Sequence, residues 1–230
     1  MTAFSAAVAL GYHYLETDVR TTRDGVALAF HDPTLDRVTD HSGRIAEIEW
    51  AEASHARIGG KEPIARIDDL LDAFPDVRLN IDVKDTASVA PLANAIERTQ
   101  AHDRVCVASF SDRRRRDVLR RLSAPTATSG GRWTVAGFRF IASPVRVAGL
   151  VARALRDVDC LQVPERAGAV RIVTAGTVAA AHAVGKQIHV WTVNDESRMH
   201  RLLDLGVHGL VTDRADVLRD VLQARDAWPG

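Results

Sequence analysis

At 230 residues and 46% apolar content, the chain suits one large α/β domain with a full core. Its 30 Lys+Arg balance 30 Asp+Glu, so no overall electrostatic pull toward nucleic acid or an anionic membrane is visible, and any anion site must be local. No apolar run approaches a membrane span and the opening residues lack the basic leader of a signal peptide, so cytoplasmic residence is the expectation. Cys106 and Cys160, the only cysteines, sit in short apolar runs without zinc-site spacing and are expected as buried thiols.

A first helix is expected to start near Thr2 and stop at Gly11. The chain then alternates strand-length and helix-length runs, the sign of parallel βα units. A strand over Tyr14–Arg20 is followed by a long excursion to Gly60 with a short extra strand, Val26–Phe30. Next come helix Ile67–Phe74, strand Arg78–Lys84, helix Ser88–Gln100, strand Val105–Ser109, helix Arg113–Leu122 and strand Thr126–Ser129. Helix Pro144–Asp157, strand Asp159–Val163, helix Thr177–Val184, strand Ile188–Val193, helix Glu196–Leu205, strand Gly209–Thr212 and helix Ala215–Ala227 complete the pattern. An eight-fold barrel begins with a strand, whereas this chain begins with a helix; an open doubly wound sheet is the alternative. Against it, neither Gly59-Gly60 nor Gly130-Gly131 has the spacing of a dinucleotide phosphate loop. The arginines Arg113 to Arg116, with Arg120 and Arg121, spread around a helix axis and are expected to form a solvated face rather than a nucleic-acid patch.

Two strands carry charge on one face and apolar side chains on the other. Alternation puts Glu16 and Asp18 opposite Leu15 and Val19, and puts Asn80, Asp82 and Lys84 opposite Leu79, Ile81 and Val83. If helices cover the apolar faces, three carboxylates and a lysine converge, and such a cluster is costly to bury without a cation or a polar ligand. The competing reading is a strand-end salt-bridge network with Lys84 and Arg20.

The run Leu15-Glu16-Thr17-Asp18-Val19, then Thr22-Arg23-Asp24-Gly25, His31-Asp32, Leu35-Asp36-Arg37-Val38-Thr39 and Gly43, resembles the glycerophosphodiester phosphodiesterase family. The resemblance continues through Asn80-Ile81-Asp82-Val83-Lys84, Ser109-Phe110-Ser111, Val190-Trp191-Thr192-Val193-Asn194 and Gly206-Val207-His208-Gly209-Leu210-Val211-Thr212-Asp213. It implies one α/β domain over the whole chain, a (β/α)8 TIM barrel with an insertion at about 26–60, and cleavage of a phosphodiester dependent on one divalent ion. Family members open with a strand bearing His-Arg-Gly and then Pro-Glu-Asn-Thr. This chain starts just after that point, so the first strand, with its histidine, arginine and glutamate, is expected to be missing: either Met1 is internal to a longer protein, or the barrel is opened by truncation and its activity impaired.

By the same resemblance, Glu16, Asp18 and Asp82 supply oxygen ligands to Ca²⁺ or Mg²⁺, hard cations that favour carboxylates. Aspartate at 82 replaces the family's usual glutamate and is one methylene shorter. His31 is one of two histidines that exchange protons, a task suited to a pKa of about 6.5. Lys84 meets a non-bridging phosphate oxygen. Phe110, Trp191 and Asn194 build substrate walls, although core roles for the two aromatics compete. His208 and Ala215 replace the family's aspartate and proline without removing a catalytic group.

The expected reaction is hydrolysis of a small-molecule glycerophosphodiester to an alcohol and glycerol 3-phosphate, with no nucleic acid and no stable membrane insertion. A non-catalytic phosphodiester- or lysophospholipid-binding barrel is the alternative from another class. A Schiff-base lyase or isomerase using Lys84 is disfavoured, because nearby carboxylates keep that lysine charged.

Overall fold

A computed structural model describes residues 1–142 and 148–228, and the chain falls into two compact units, Met1–Ala127 and Thr128–Gly230. In the first unit, helix α1 (Thr2–Ala9) lays Phe4, Ala7 and Val8 against the core and ends where Gly11 takes a positive φ. Strand β1 (Tyr14–Thr21) turns back through Thr22–Val26 into the antiparallel β2 (Ala27–Ala29).

The excursion that follows has its own small core of Leu28, Phe30, Leu35, Ile45, Ile48, Ala53, Ala56 and Ile64. It contains helix α2 (Trp50–Ala53) and a two-strand hairpin, β3 (Arg57–Ile58) with β4 (Glu62–Pro63). Gly59 and Gly60 both adopt positive φ in the hairpin turn, which explains that glycine pair by backbone geometry. Folded structure therefore runs a few residues past the expected limit at Gly60.

Helix α3 (Ile67–Ala73), strand β5 (Arg78–Val83), helix α4 (Val89–Arg98), strand β6 (Val105–Ala108), helix α5 (Asp112–Leu119) and strand β7 (Ala127–Thr128) follow. The sheet order is β2-β1-β5-β6-β7, with β1, β5 and β6 parallel. Leu15, Val19, Leu79, Ile81, Val83 and Val107 are buried in one cluster with Leu70, Leu71, Leu92 and Ile96 of the covering helices. The alternation read from sequence thus holds, and the polar side chains of β1 and β5 take the opposite face.

The second unit contains α6 (Arg132–Ile141), a helix not among those expected from sequence. Its start explains Gly130: a Cβ there would lie 2.9 Å from both Leu161 Cδ2 and Thr134 Cγ2. Helix α7 (Ala148–Ala154) occupies the middle of the expected Pro144–Asp157 helix, whose first residues lie outside the described ones. Strand β8 (Cys160–Pro164) leads into a hairpin, β9 (Arg166–Ala167) and β10 (Val170–Arg171). Helix α8 (Ala175–His182) begins with a Thr174/Thr177 capping box, and β11 (Gln187–Trp191), α9 (Glu196–Asp204), β12 (Gly209–Leu210) and α10 (Ala215–Ala224) complete the unit. Its sheet runs β12-β11-β8, all parallel.

Two expectations need correction. Cys160 is buried, but Cys106 is only half-buried, because it lies on the polar face of β6 in register with Asn80. The arginine run is not a uniformly solvated face. Arg115 is fully buried and pairs with Asp112 at 3.3 Å, while Arg114 donates from Nη1 to the Lys84 carbonyl and from Nε to Ser109 Oγ at 3.2 Å. At 100° per residue, a run of four arginines cannot keep all its members on the solvent side.

Candidate active site

Parallel pairing of β1 with β5 puts Glu16 beside Asn80 and Asp18 beside Asp82. Two carboxylates directly opposite each other repel and need a cation between them. Lys84 fills that role, its Nζ donating to Asp18 Oδ1 at 2.7 Å and to Asp82 Oδ2 at 2.8 Å. Burial alone would lower the lysine pKa, but the hydrogen bonds to Asp18 and Asp82 outweigh it and raise the value above the usual 10.5. Lys84 is therefore an ammonium, which agrees with the expectation that disfavoured Schiff-base chemistry.

The salt-bridge alternative and the ligand reading meet in this cluster. Asp82 Oδ1 is buried and has no hydrogen-bond partner, an orphaned anionic oxygen suited to a hard cation. Glu16 precedes Asp18 by two residues on the same strand face and is exposed. Among the described residues no three His, Cys, Asp or Glu side chains are gathered tightly enough to form a metal cluster. The structure thus brings Asp18, Asp82 and Lys84 together and leaves Glu16 at the solvent edge. Arg20, which the alternative network included, instead donates to the His31 carbonyl at 2.8 Å and reaches Asp85 at 3.4 Å.

His31 follows β2 with its side chain 65% exposed, and its Nδ1 lies 2.7 Å from Asp32 Oδ1. Asp32 also accepts from Arg37, and its carboxyl is lowered to about 2, first by the Arg37 hydrogen bond and then by His31. An ionised carboxylate only accepts, so Nδ1 carries the proton and Nε2 is left to give or take one. Asp32 is thus a positioning residue. Asp32→Asn is expected to lower kcat several-fold with little change in KM, and rescue by Asp32→Glu in steady-state kinetics checks that role. Because the carboxyl titrates near 2, its anion persists through the working range, and the interaction it provides fades only as pH falls below about 3.8 toward 2.

Phe110 is 46% exposed and its ring centroid stands 5.8 Å from Lys84 Nζ, within cation–π range. Ser109 fixes this corner: its hydroxyl donates to the Val83 carbonyl at 2.8 Å and accepts from Ser111 N and Arg114 Nε. Arg114 thereby braces the backbone on both sides of the site, from a position 30 residues beyond Lys84. No local sequence signal marks it, because the contact depends on how α5 docks.

In the second unit, Trp191 ends β11 half-buried. Asn194 uses its amide to tie two loops together: Oδ1 accepts from Thr212 Oγ1 at 3.0 Å and from Asp213 N at 2.9 Å, while Nδ2 donates to Asp213 Oδ2 at 2.9 Å. This geometry gives Asn194 a bracing role beside any contact with substrate. Glu165, just past β8, is held below the usual carboxylate range by Arg201, against a smaller effect of burial, and also by Arg198.

Comparison with known proteins shows the family and the fold. Residues 1–217 match the glycerophosphoryl diester phosphodiesterase family. The chain is 45% identical over its whole length to a probable glycerophosphodiester phosphodiesterase 2 of Mycobacterium tuberculosis, covering 87% of that protein. A crystal structure of a putative glycerophosphoryl diester phosphodiesterase from Silicibacter pomeroyi superposes with a TM-score of 0.79 at 21% identity, over 97% of this chain and 87% of that one. An Oleispira antarctica phosphodiesterase in complex with the product sn-glycerol-3-phosphate gives 0.76 at 20% identity, over 96% and 90%. The architecture is the (β/α)8 type expected from sequence. The chain belongs to the glycerophosphoryl diester phosphodiesterase family, and hydrolysis of glycerophosphodiesters is its activity.

Proposed function

We propose that this chain is a single cytoplasmic phosphodiesterase barrel domain with an insertion at about 26–60. In this reading it cleaves small glycerophosphodiesters to an alcohol and glycerol 3-phosphate. The family is generally dependent on a divalent metal, and Glu16, Asp18 and Asp82 would hold one Ca²⁺ or Mg²⁺. The observation that carries the reading is the Asp18–Lys84–Asp82 cluster at the C-terminal ends of parallel strands, where barrel enzymes keep their chemistry, with the orphaned Asp82 oxygen inside it. No helix among the described residues is long and apolar enough to cross a membrane.

The bound ion would supply Lewis-acid stabilisation of a phosphoryl oxygen. Lys84 places a permanent positive charge beside the same carboxylates, where it meets a non-bridging phosphate oxygen and opposes the charge that grows in the transition state. His31, aligned by Asp32, presents Nε2 to protonate the departing alkoxide or to accept the proton of the attacking oxygen. Phe110, whose ring lies beside the ammonium, contributes a wall to the organic part of the substrate; in the second unit Trp191 ends β11 and Asn194 supports the loop that follows.

Release of glycerol 3-phosphate from a panel of glycerophosphodiesters, measured with chelator and then with Mg²⁺ or Ca²⁺, tests this reading. Turnover is expected to fall by about 10²-fold or more in chelator and to return with the ion. A folded chain that binds the ion yet releases no product would replace the reading with a phosphodiester-binding role.

A further inference from the structure

Helix α6 buries only Phe138 among its residues. Trp133 is 78% exposed and Phe140 is 85% exposed; they stand seven residues apart with exposed Ala136 between them, so they share one helix face. Helix α7 packs against α6 and exposes Leu150. The β9–β10 hairpin, which exposes Val170, is tied to the same helix by Arg139 Nε donating to the Arg171 carbonyl at 3.0 Å. Three neighbouring elements therefore turn large apolar side chains to solvent, more than isolated surface residues would supply.

Every charged side chain of α6 and α7 is an arginine, in a chain whose total charge is zero. Arg132, Arg139 and Arg153 flank the apolar side chains, and the hairpin adds exposed Arg166 and Arg171. A second copy of this chain would bring arginine against arginine across a two-fold contact, which like-charge repulsion opposes. An anionic lipid surface matches both features, since tryptophan and phenylalanine settle at the headgroup level while arginine reaches the phosphates above them.

We infer that α6, α7 and the β9–β10 hairpin form a peripheral docking surface for anionic lipid bilayers, seating the protein at the interface without spanning it. The surface is local, so it is compatible with the neutral chain as a whole. It lies on residues outside the catalytic cluster, and it stands whether or not the catalytic roles assigned above hold.

Sedimentation of the full chain with vesicles tests it, comparing pure phosphatidylcholine with phosphatidylcholine containing phosphatidylglycerol. The anionic vesicles are expected to bind about tenfold or more tightly than the neutral ones, and added salt is expected to weaken that binding. Trp133→Ser with Phe140→Ser is expected to weaken it by about tenfold or more, with thermal midpoint and turnover of a soluble glycerophosphodiester unchanged. Arg132→Gln with Arg153→Gln is expected to lower binding to anionic vesicles alone. Absent or equal binding to the two vesicle types overturns the inference. A dimer that the Trp133/Phe140 variant converts to monomer, without vesicle binding, assigns the face to a second copy instead.

Discussion

Replacing His31 by alanine is expected to lower kcat for glycerophosphodiester hydrolysis by about 10² to 10⁴ while leaving the fold intact, the range for loss of a positioned proton-transfer group. The imidazole is mostly solvent-exposed, so its removal leaves no cavity, and the stability change should stay within about 0.5 kcal/mol. The loop it occupies is anchored by other means: Arg20 donates to the backbone carbonyl of residue 31, and Asp32 keeps its pairing with Arg37. An effect on kcat with an unchanged thermal midpoint would therefore report chemistry rather than unfolding. Steady-state kinetics beside thermal denaturation check this, and a variant that keeps its rate within about threefold would remove His31 from proton transfer.

The β1–β5 pair was legible because period-two alternation survives any tertiary context that covers one sheet face. Leu15, Val19, Leu79, Ile81 and Val83 are buried as their alternation requires. The register was not legible: that Asp18 faces Asp82, rather than a residue two positions away, follows from how the parallel strands pair along their whole length. For the same reason the sequence pointed to three converging carboxylates, whereas the structure gathers two around Lys84 and leaves Glu16 exposed. The inward turn of Arg114 and Arg115 is not readable from the sequence, because a charge run looks solvated until the docking of α5 selects which members turn inward.

Lys84→Met is expected to show the largest combined effect, and it separates the lysine's two roles. The side chains of Asp18, Asp82 and Lys84 are 16%, 12% and 16% exposed, so the cluster is largely withdrawn from water. Removing the ammonium leaves two opposed carboxylates, one of which already has an oxygen without a partner. In chelator, denaturant unfolding should show a loss of about 3 kcal/mol, the low end for breaking a buried ion pair because these groups retain some solvent. A divalent ion at about 100 times its dissociation constant should return about 2.7 kcal/mol. The wild type should gain less from the ion, because Lys84 already compensates the same charge, and a Lys84→Met/Asp82→Asn double variant should recover stability without metal. The pH dependence has a definite sign. The folded-state pKa of Lys84 is raised, so its contribution is fully present below about 10.5 and lost as pH rises through the higher folded value; the variant should lack that alkaline loss. Turnover should fall by about 10² to 10³ even with the ion restored, because the positive charge aimed at the phosphoryl oxygens is gone. Equal metal stabilisation of the wild type, Lys84→Met and Asp82→Asn would instead place the ion away from Asp18 and Asp82, since a cation bound between those carboxylates must respond to the loss of either its competitor or its ligand.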